Sequence, residues 1–265
     1  MKNKLIAASF LSVALFGCSD SAEPLSQKAL YEELETLESA WKKAKSAKNE
    51  LLVEEKEQSI KSFLSVNRTA ENWVGKVEKV SQNSEGNISV KLAHRNQNYT
   101  LIIVDPSAKQ TARNLTNNET LLFSGELGKE RSFTIGGALD NPEFSFPPVS
   151  FKLKGSDAVI VQQQEWIEQY FTEINTARLK SQLREKVLSA CQSAAKDMLV
   201  KPSSADFSIL DLGIKEVSEN TWLYVNTVEA TNGFGAEIEF KVMCSAQTSI
   251  QDGHPKILKA VAQLN

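Results

Sequence analysis

Histidine and cysteine are scarce in this chain of 265 residues, at two and three copies, and its 30 Lys+Arg do not outnumber its 33 Asp+Glu. Two histidines exclude His-rich metal sites, and three cysteines exclude a disulfide-dense miniprotein. A formal net charge of −3 lacks the basic excess that nucleic-acid binders display. Apolar runs long enough to suggest a membrane segment are absent outside the extreme N-terminus, which excludes a polytopic membrane protein. What is present, 41% apolar and 24% charged residues, suffices for packed cores in one to three domains. Address and architecture are well marked; no reaction is.

Met1-Lys2-Asn3-Lys4 is a positive start, Leu5 to Phe16 is a short apolar run, and Gly17 precedes Cys18, the three parts of a secretory signal peptide. The run is too short to span a bilayer as a mature helix. Leu15-Phe16-Gly17-Cys18 resembles the lipobox of bacterial lipoproteins, with Phe16 where a small residue is more usual. That resemblance implies cleavage before Cys18 and diacylglycerol on its thiol; the alternative is an ordinary cleaved signal. Ser19 is not the aspartate that favours inner-membrane retention in enterobacterial lipoproteins, which points to the outer membrane, facing the periplasm. Several acyl chains at about 0.8 kcal/mol per buried CH₂ anchor permanently.

If Cys18 carries lipid, Cys191 and Cys244 remain as a pair in an oxidising compartment, where a disulfide persists. The alternative is two buried free thiols, since sequence alone does not give the geometry of a bridge. Removing residues 1–17 takes away Lys2 and Lys4, so the mature body is mildly acidic and has no electrostatic reason to lie on anionic lipid.

Six pieces follow along the chain: a signal peptide (1–17), a lipidated tether (18–24), a helical segment (25–71), a β-rich domain (72–155), a helical connector (156–182) and a C-terminal domain (183–265). In the helical segment, Leu30, Leu34, Leu37, Trp41 and Ala44 recur on one helical stripe, and Gly and Pro are absent from Leu25 through Val74. This predicts one long helix to about Leu64, packed on its own chain, self-associating, or forming a partly frayed stalk. Lys48 interrupts the heptads too early for a sustained coiled coil.

From Trp73 to Lys154, runs of Val, Ile, Leu, Thr and aromatics alternate with Gly, Asn, Asp and Pro. Strands are predicted near Trp73–Ser81, Ile88–His94, Tyr99–Val104, Thr120–Leu127, Ser132–Ile135 and Val149–Leu153, with helical turns within Pro106–Leu115. That layout fits a five-stranded OB-type barrel. Trp73-Val74-Gly75, the stretch Asn114 to Gly125, and Pro142-Glu143-Phe144 with Pro147-Pro148 resemble an OB-like, anticodon-binding-like domain of bacterial envelope proteins. The resemblance implies a fold and transfers no function. Phe123 and Phe133 read as core, His94 as a solvated strand end, and Trp73 and Tyr99 as candidate ligand-stacking aromatics on the barrel face. Gly125-Glu126-Leu127-Gly128-Lys129 has the wrong glycine spacing for a phosphate loop.

Ala158 to Val200 contains neither Gly nor Pro, and Trp166, Ile167, Tyr170, Phe171 and Ile174 lie on one helical face. One helix, or two joined by a bend near Thr176–Ser181, ends before Pro202. Strands are then predicted near Asp206–Leu210, Trp222–Thr231, Ala236–Cys244 and Lys256–Ala260, with Thr231 to Gly235 as a glycine-rich turn and His254 in another turn. Cys191, Lys201-Pro202-Ser203-Ser204-Ala205, Asn232-Gly233-Phe234-Gly235 and Cys244 resemble a small helix-plus-sheet domain of uncharacterised exported proteins. This second resemblance implies a Cys191–Cys244 disulfide and an α+β fold.

No Gly-x-Ser-x-Gly elbow, His-Glu-x-x-His helix or Cys-x-x-Cys pair is present, and Glu119, Glu126, Asp140 and Glu143 read as surface acids. The expected fold class is therefore α+β and multidomain, with a long N-terminal helix, a five-stranded OB-like barrel, a helical connector and a small helix-plus-antiparallel-sheet domain. The expected function is a non-catalytic envelope lipoprotein that binds a protein partner and needs no metal or cofactor. A glycan or small-ligand receptor using Trp73 and Tyr99 is the alternative, and a spacer between membrane and module is a third reading.

Overall fold

The computed structural model describes residues 23–66, 68–128, 130, 132, 134–208 and 213–265, so Cys18 and the signal segment lie outside the described residues. The fold is α+β and divides into a first unit ending at Glu168 and a second of Gln169–Asn265.

The first unit opens with two helices, α1 (Leu25–Ser46) and α2 (Glu50–Ser65), in place of the one long helix expected. The break has local causes: Lys48 adopts a left-handed φ of 53°, and the Asn49 side chain caps α2 by accepting from the Leu52 amide at 3.1 Å. Leu30, Leu34, Ile60 and Leu64 of this pair join the same core as the strands that follow.

Those strands are β1 (Arg68–Gln82), β2 (Ile88–His94), β3 (Gln97–Ile103), β4 (Thr120–Leu127), β5 (Glu143–Phe146), β6 (Ser150–Leu153) and β7 (Ile160–Val161), with α3 (Pro106–Ala112) and α4 (Ile135–Asp140) between them. They form one sheet of seven strands in the order β5-β3-β2-β1-β4-β6-β7, in which only β3 and β5 run parallel. Among the described residues this sheet does not close into a barrel. On the edge away from β1, β4 is already paired with β6 over Leu121–Ser124, and the approach to β5 is spanned by a single antiparallel bridge, Glu130↔Phe144. Of the expected strand over Ser132–Ile135, Phe133 lies outside the described residues, and the described end is helical: Thr134 caps α4 by accepting from the Gly137 amide at 3.0 Å, and Ile135 begins the helix.

Two buried side chains hold the irregular parts of this unit. Gln162 Oε1 accepts from the Val104 and Asp105 amides while its Nε2 donates to the Pro148 carbonyl at 2.6 Å. Asp105 caps α3, accepting from Ser107 N and Oγ and from the Gln163 amide at 2.6–2.9 Å. Burial pushes its carboxyl pKa up, but the hydrogen bonds from Ser107, Gln163 and Ala108 outweigh this and hold it below the ordinary carboxylate value.

The second unit contains most of α5 (Gln164–Lys196), one unbroken helix, so of the two arrangements open in the sequence the single helix is found. A 3₁₀ turn (Pro202–Ser204) leads to β8 (Asp206–Phe207), β9 (Lys215–Ser218), β10 (Thr221–Thr231), β11 (Glu237–Gln251) and β12 (His254–Leu264). His254 thus starts a strand. The order is β12-β11-β10-β8, with β9 also on β10, all antiparallel. Even-numbered residues of β10 and β11, among them Tyr224, Val228, Val242 and Cys244, pack on Leu183, Val187, Cys191 and Ala195 of α5. Cys191 and Cys244 form a disulfide across that seam, with Cα atoms 5.7 Å apart.

Candidate interaction surface

Trp73 and Tyr99, expected on an open ligand-binding face, are 1% and 0% exposed. Their rings meet edge to face at 5.9 Å, and Tyr99 also packs on Phe123 and Phe144. Trp73 Nε1 donates to Ser26 Oγ at 2.8 Å, and the Tyr99 hydroxyl donates to Gln97 Oε1, with burial pushing its pKa well up. The first turn of α1 therefore seals this region, and neither ring can stack on a ligand from solvent. The expectation is corrected because alternation within a strand identifies two faces without saying which one a distant helix covers.

His94 ends β2 as expected, and it has a partner. Its Nε2 lies 2.9 Å from Glu23 Oε1, and Arg95 Nη2 donates to Glu23 Oε2 at 2.6 Å, so the chain entering α1 is pinned to the β2–β3 turn. A cleft of about 390 Å³ in the first unit is lined by Lys61, Ser65, Glu130, Ser132 and Thr134, among others. Glu130, the carboxylate among its described lining residues, accepts from the Ser132 and Glu143 amides. Among the described residues no cluster of His, Cys, Asp and Glu could hold a metal, and no helix is long and apolar enough to cross a membrane.

The outer side of the second unit's sheet and its β12 edge carry exposed apolar side chains. There the strand register places Val225 beside Met243, and Ser245 beside Val261; Met243 and Val261 are exposed. β12 is one of the sheet's two edges, β8 and β9 lying at the other. Its first half carries Pro255, Lys256, a register shift near Leu258 and Lys259, all devices that blunt a sheet edge against pairing. Its second half, Ala260–Leu264, has no charge and no proline. This segment was expected only as a strand ending at Ala260; the alternating Val261-Ala262-Gln263-Leu264 was the available signal for its length.

No protein-family model matches the sequence, and no curated protein matches it. Among solved structures, the chain is similar to asparaginyl-tRNA synthetase from Entamoeba histolytica in complex with asparaginyl-adenylate, at 13% identity and a TM-score of 0.23, over 71% of this chain and 51% of that one. It therefore spans about half the length of the synthetase chain. A second similar chain, from a structure described as "Molecular basis for abrogation of activation of pro-inflammatory cytokines", is 12% identical with a TM-score of 0.17, over 73% of this chain and 88% of that one. At such scores neither likeness bears on function.

Proposed function

We propose that this protein is a lipid-anchored lipoprotein of the cell envelope that acts as a non-catalytic module for binding another protein by strand addition at the free edge of its C-terminal sheet. The observation that carries the reading is the uncharged, proline-free half-edge Ala260–Leu264, which contains the exposed Val261 and lies beside the exposed Met243 of β11. An incoming strand gains main-chain hydrogen bonds there, and the exposed Val261, with Met243 diagonal to it, offers apolar contacts. The disulfide of the second unit suits an oxidising compartment. The apolar run ending at Cys18 supplies the address, and four residues separate Cys18 from the pinned Glu23, a short tether.

The order β5-β3-β2-β1-β4 with parallel β3 and β5 supports an OB-like ancestry for the first unit, in a partly open form. Burial of Trp73 and Tyr99 removes the support that a glycan receptor at that face would need.

The test is in-cell crosslinking of the tagged full-length protein, with Cys18→Ala and Val261→Lys as comparisons. A discrete protein is expected on the anchored form and weakened by Val261→Lys. Failure to enrich any protein from normally folded, anchored material would overturn the binding reading. Radiolabelled palmitate retained by Cys18→Ala would overturn the lipid anchor.

A further inference from the structure

We propose that the end of the second unit carrying the β10–β11 turn is a docking anchor, in which Phe234 enters an apolar pocket bordered by Lys or Arg on the partner protein. The proposal rests on the protein-binding reading above and assigns a site distinct from the β12 edge.

Phe234 is 100% exposed and lies in a hydrogen-bonded turn. Asn232 Oδ1 accepts from the amides of Phe234 and Ala236 at 2.9 and 3.0 Å, the Asn232 amide donates to the Ala236 carbonyl at 2.8 Å, and Gly235 supplies the required φ of 90°. A turn whose backbone is already braced by these bonds loses less order on binding than an open loop, and aromatic anchors seated in pockets dominate interface energetics.

Phe234 is not an isolated apolar residue. Ile238, 39% exposed, lies just beyond the turn on β11. Met198 and Val200, 52% and 76% exposed, follow the end of α5 and precede the 3₁₀ turn, where Ser204 Oγ accepts from the Thr231 amide at 2.8 Å. The helix end and the hairpin end are thereby held at the same end of the unit, and four exposed apolar side chains share it.

The charge around this end selects the partner. On the other face of the hairpin, Glu229 stands directly across from Glu239, with Glu237 two residues further toward the turn, and all three are exposed. Asp206 on β8 adds a further carboxylate opposite Glu229, while Lys241, two residues from Glu239 on the same face, and Lys201 beside Val200 offset only part of this charge. Like charges directly opposite on paired strands are destabilising, so the hairpin keeps a local cost that a basic partner would relieve. An acidic rim is repelled by anionic lipid, and two copies meeting through this end would set Glu against Glu. A protein pocket with an apolar floor and a cationic border satisfies both features, and such complementarity speeds and orients encounter.

The experiment places a photocrosslinking phenylalanine analogue at position 234 or, separately, at 261 in the full-length protein in cells. The expected result is an adduct from 234 to one protein, mapped by mass spectrometry to an apolar site flanked by Lys or Arg. Combining Glu229→Lys with Glu239→Lys should cut its yield about tenfold while circular dichroism stays unchanged. An adduct from 261 but none from 234 overturns this proposal and leaves the β12 reading standing. No adduct from either position in folded, anchored protein overturns both. Adducts only to lipid, binding of the purified protein to phosphatidylethanolamine/phosphatidylglycerol vesicles through Phe234, an adduct to a second copy, or a yield indifferent to the charge reversals each overturn the docking anchor.

Discussion

The side chain of Gln27 pairs with the backbone of Val74 as a neighbouring strand would: Nε2 donates to the Val74 carbonyl and Oε1 accepts from the Val74 amide, both at 2.8 Å. Gln27 is fully buried, so α1 contributes a surrogate ladder rung to β1 at the point where Asn72, with φ of 52°, disturbs its register with β4. Gln27→Ala leaves a donor and an acceptor unpaired in the interior. It should lower stability by about 3 kcal/mol, read as a drop in urea midpoint with unchanged slope, and a variant unfolding like the wild type would show the rung to be dispensable.

The Cys191–Cys244 bridge closes a separation of 53 residues between α5 and β11. Replacing both cysteines by Ala should destabilise the second unit by about 4 kcal/mol in the chain-entropy picture. The first unit should melt at its usual temperature. Calorimetry with and without reductant distinguishes this from a loss shared by both units.

Asp105 has a folded pKa held below its ordinary value. Its stabilising contribution is therefore complete above the unfolded carboxyl value near 4 and disappears as pH falls through the lower folded value. Asp105→Asn should flatten this part of the acid limb while costing about 2 kcal/mol at neutral pH, because the amide nitrogen cannot replace a carboxylate oxygen as acceptor. Denaturation curves at pH 2 to 7 for both proteins would measure it, and parallel curves would refute it.

Gly213 lies against β10 so closely that a Cβ there would fall 1.8 Å from the Val225 carbonyl oxygen. Its own carbonyl accepts from the Val225 amide at 3.2 Å, which is the reason for the close approach. Gly213→Ala should displace the chain and cost more than about 2 kcal/mol; a thermal midpoint within a degree of wild type would contradict this.

Strands β2 and β4 were legible to their ends, Ile88–His94 and Thr120–Leu127, because period-two burial is bounded at both sides by turn residues. β5 escaped: four residues between Pro142 and Pro147 show no alternation long enough to register, and its parallel pairing with β3 is a tertiary fact. The break between α1 and α2 depends on left-handed Lys48 followed by the Asn49 cap, a pair that a Gly- and Pro-free stretch conceals. Burial of Trp73 follows from a helix that starts about 50 residues before it, a partnership local pattern cannot express. Gln27 looked like any polar residue near a helix start, whereas Phe234 was visible within a glycine-rich turn and only its complete exposure needed the structure.

β1 lies at the centre of the first unit's sheet, yet it follows α1 and α2 in the chain, and the strand on its far side, β4, ends only at Leu127. A chain emerging from its N-terminus therefore presents Leu30, Leu34, Ile60 and Leu64 well before the surface they cover exists. For that interval the early helices are an amphipathic pair without a platform, open to protease and to other apolar chains. A fragment ending at Ser65 should be digested rapidly and one ending at Glu168, which keeps Gln162 and Gln163, should resist, which makes the order of emergence itself a vulnerability written into the topology.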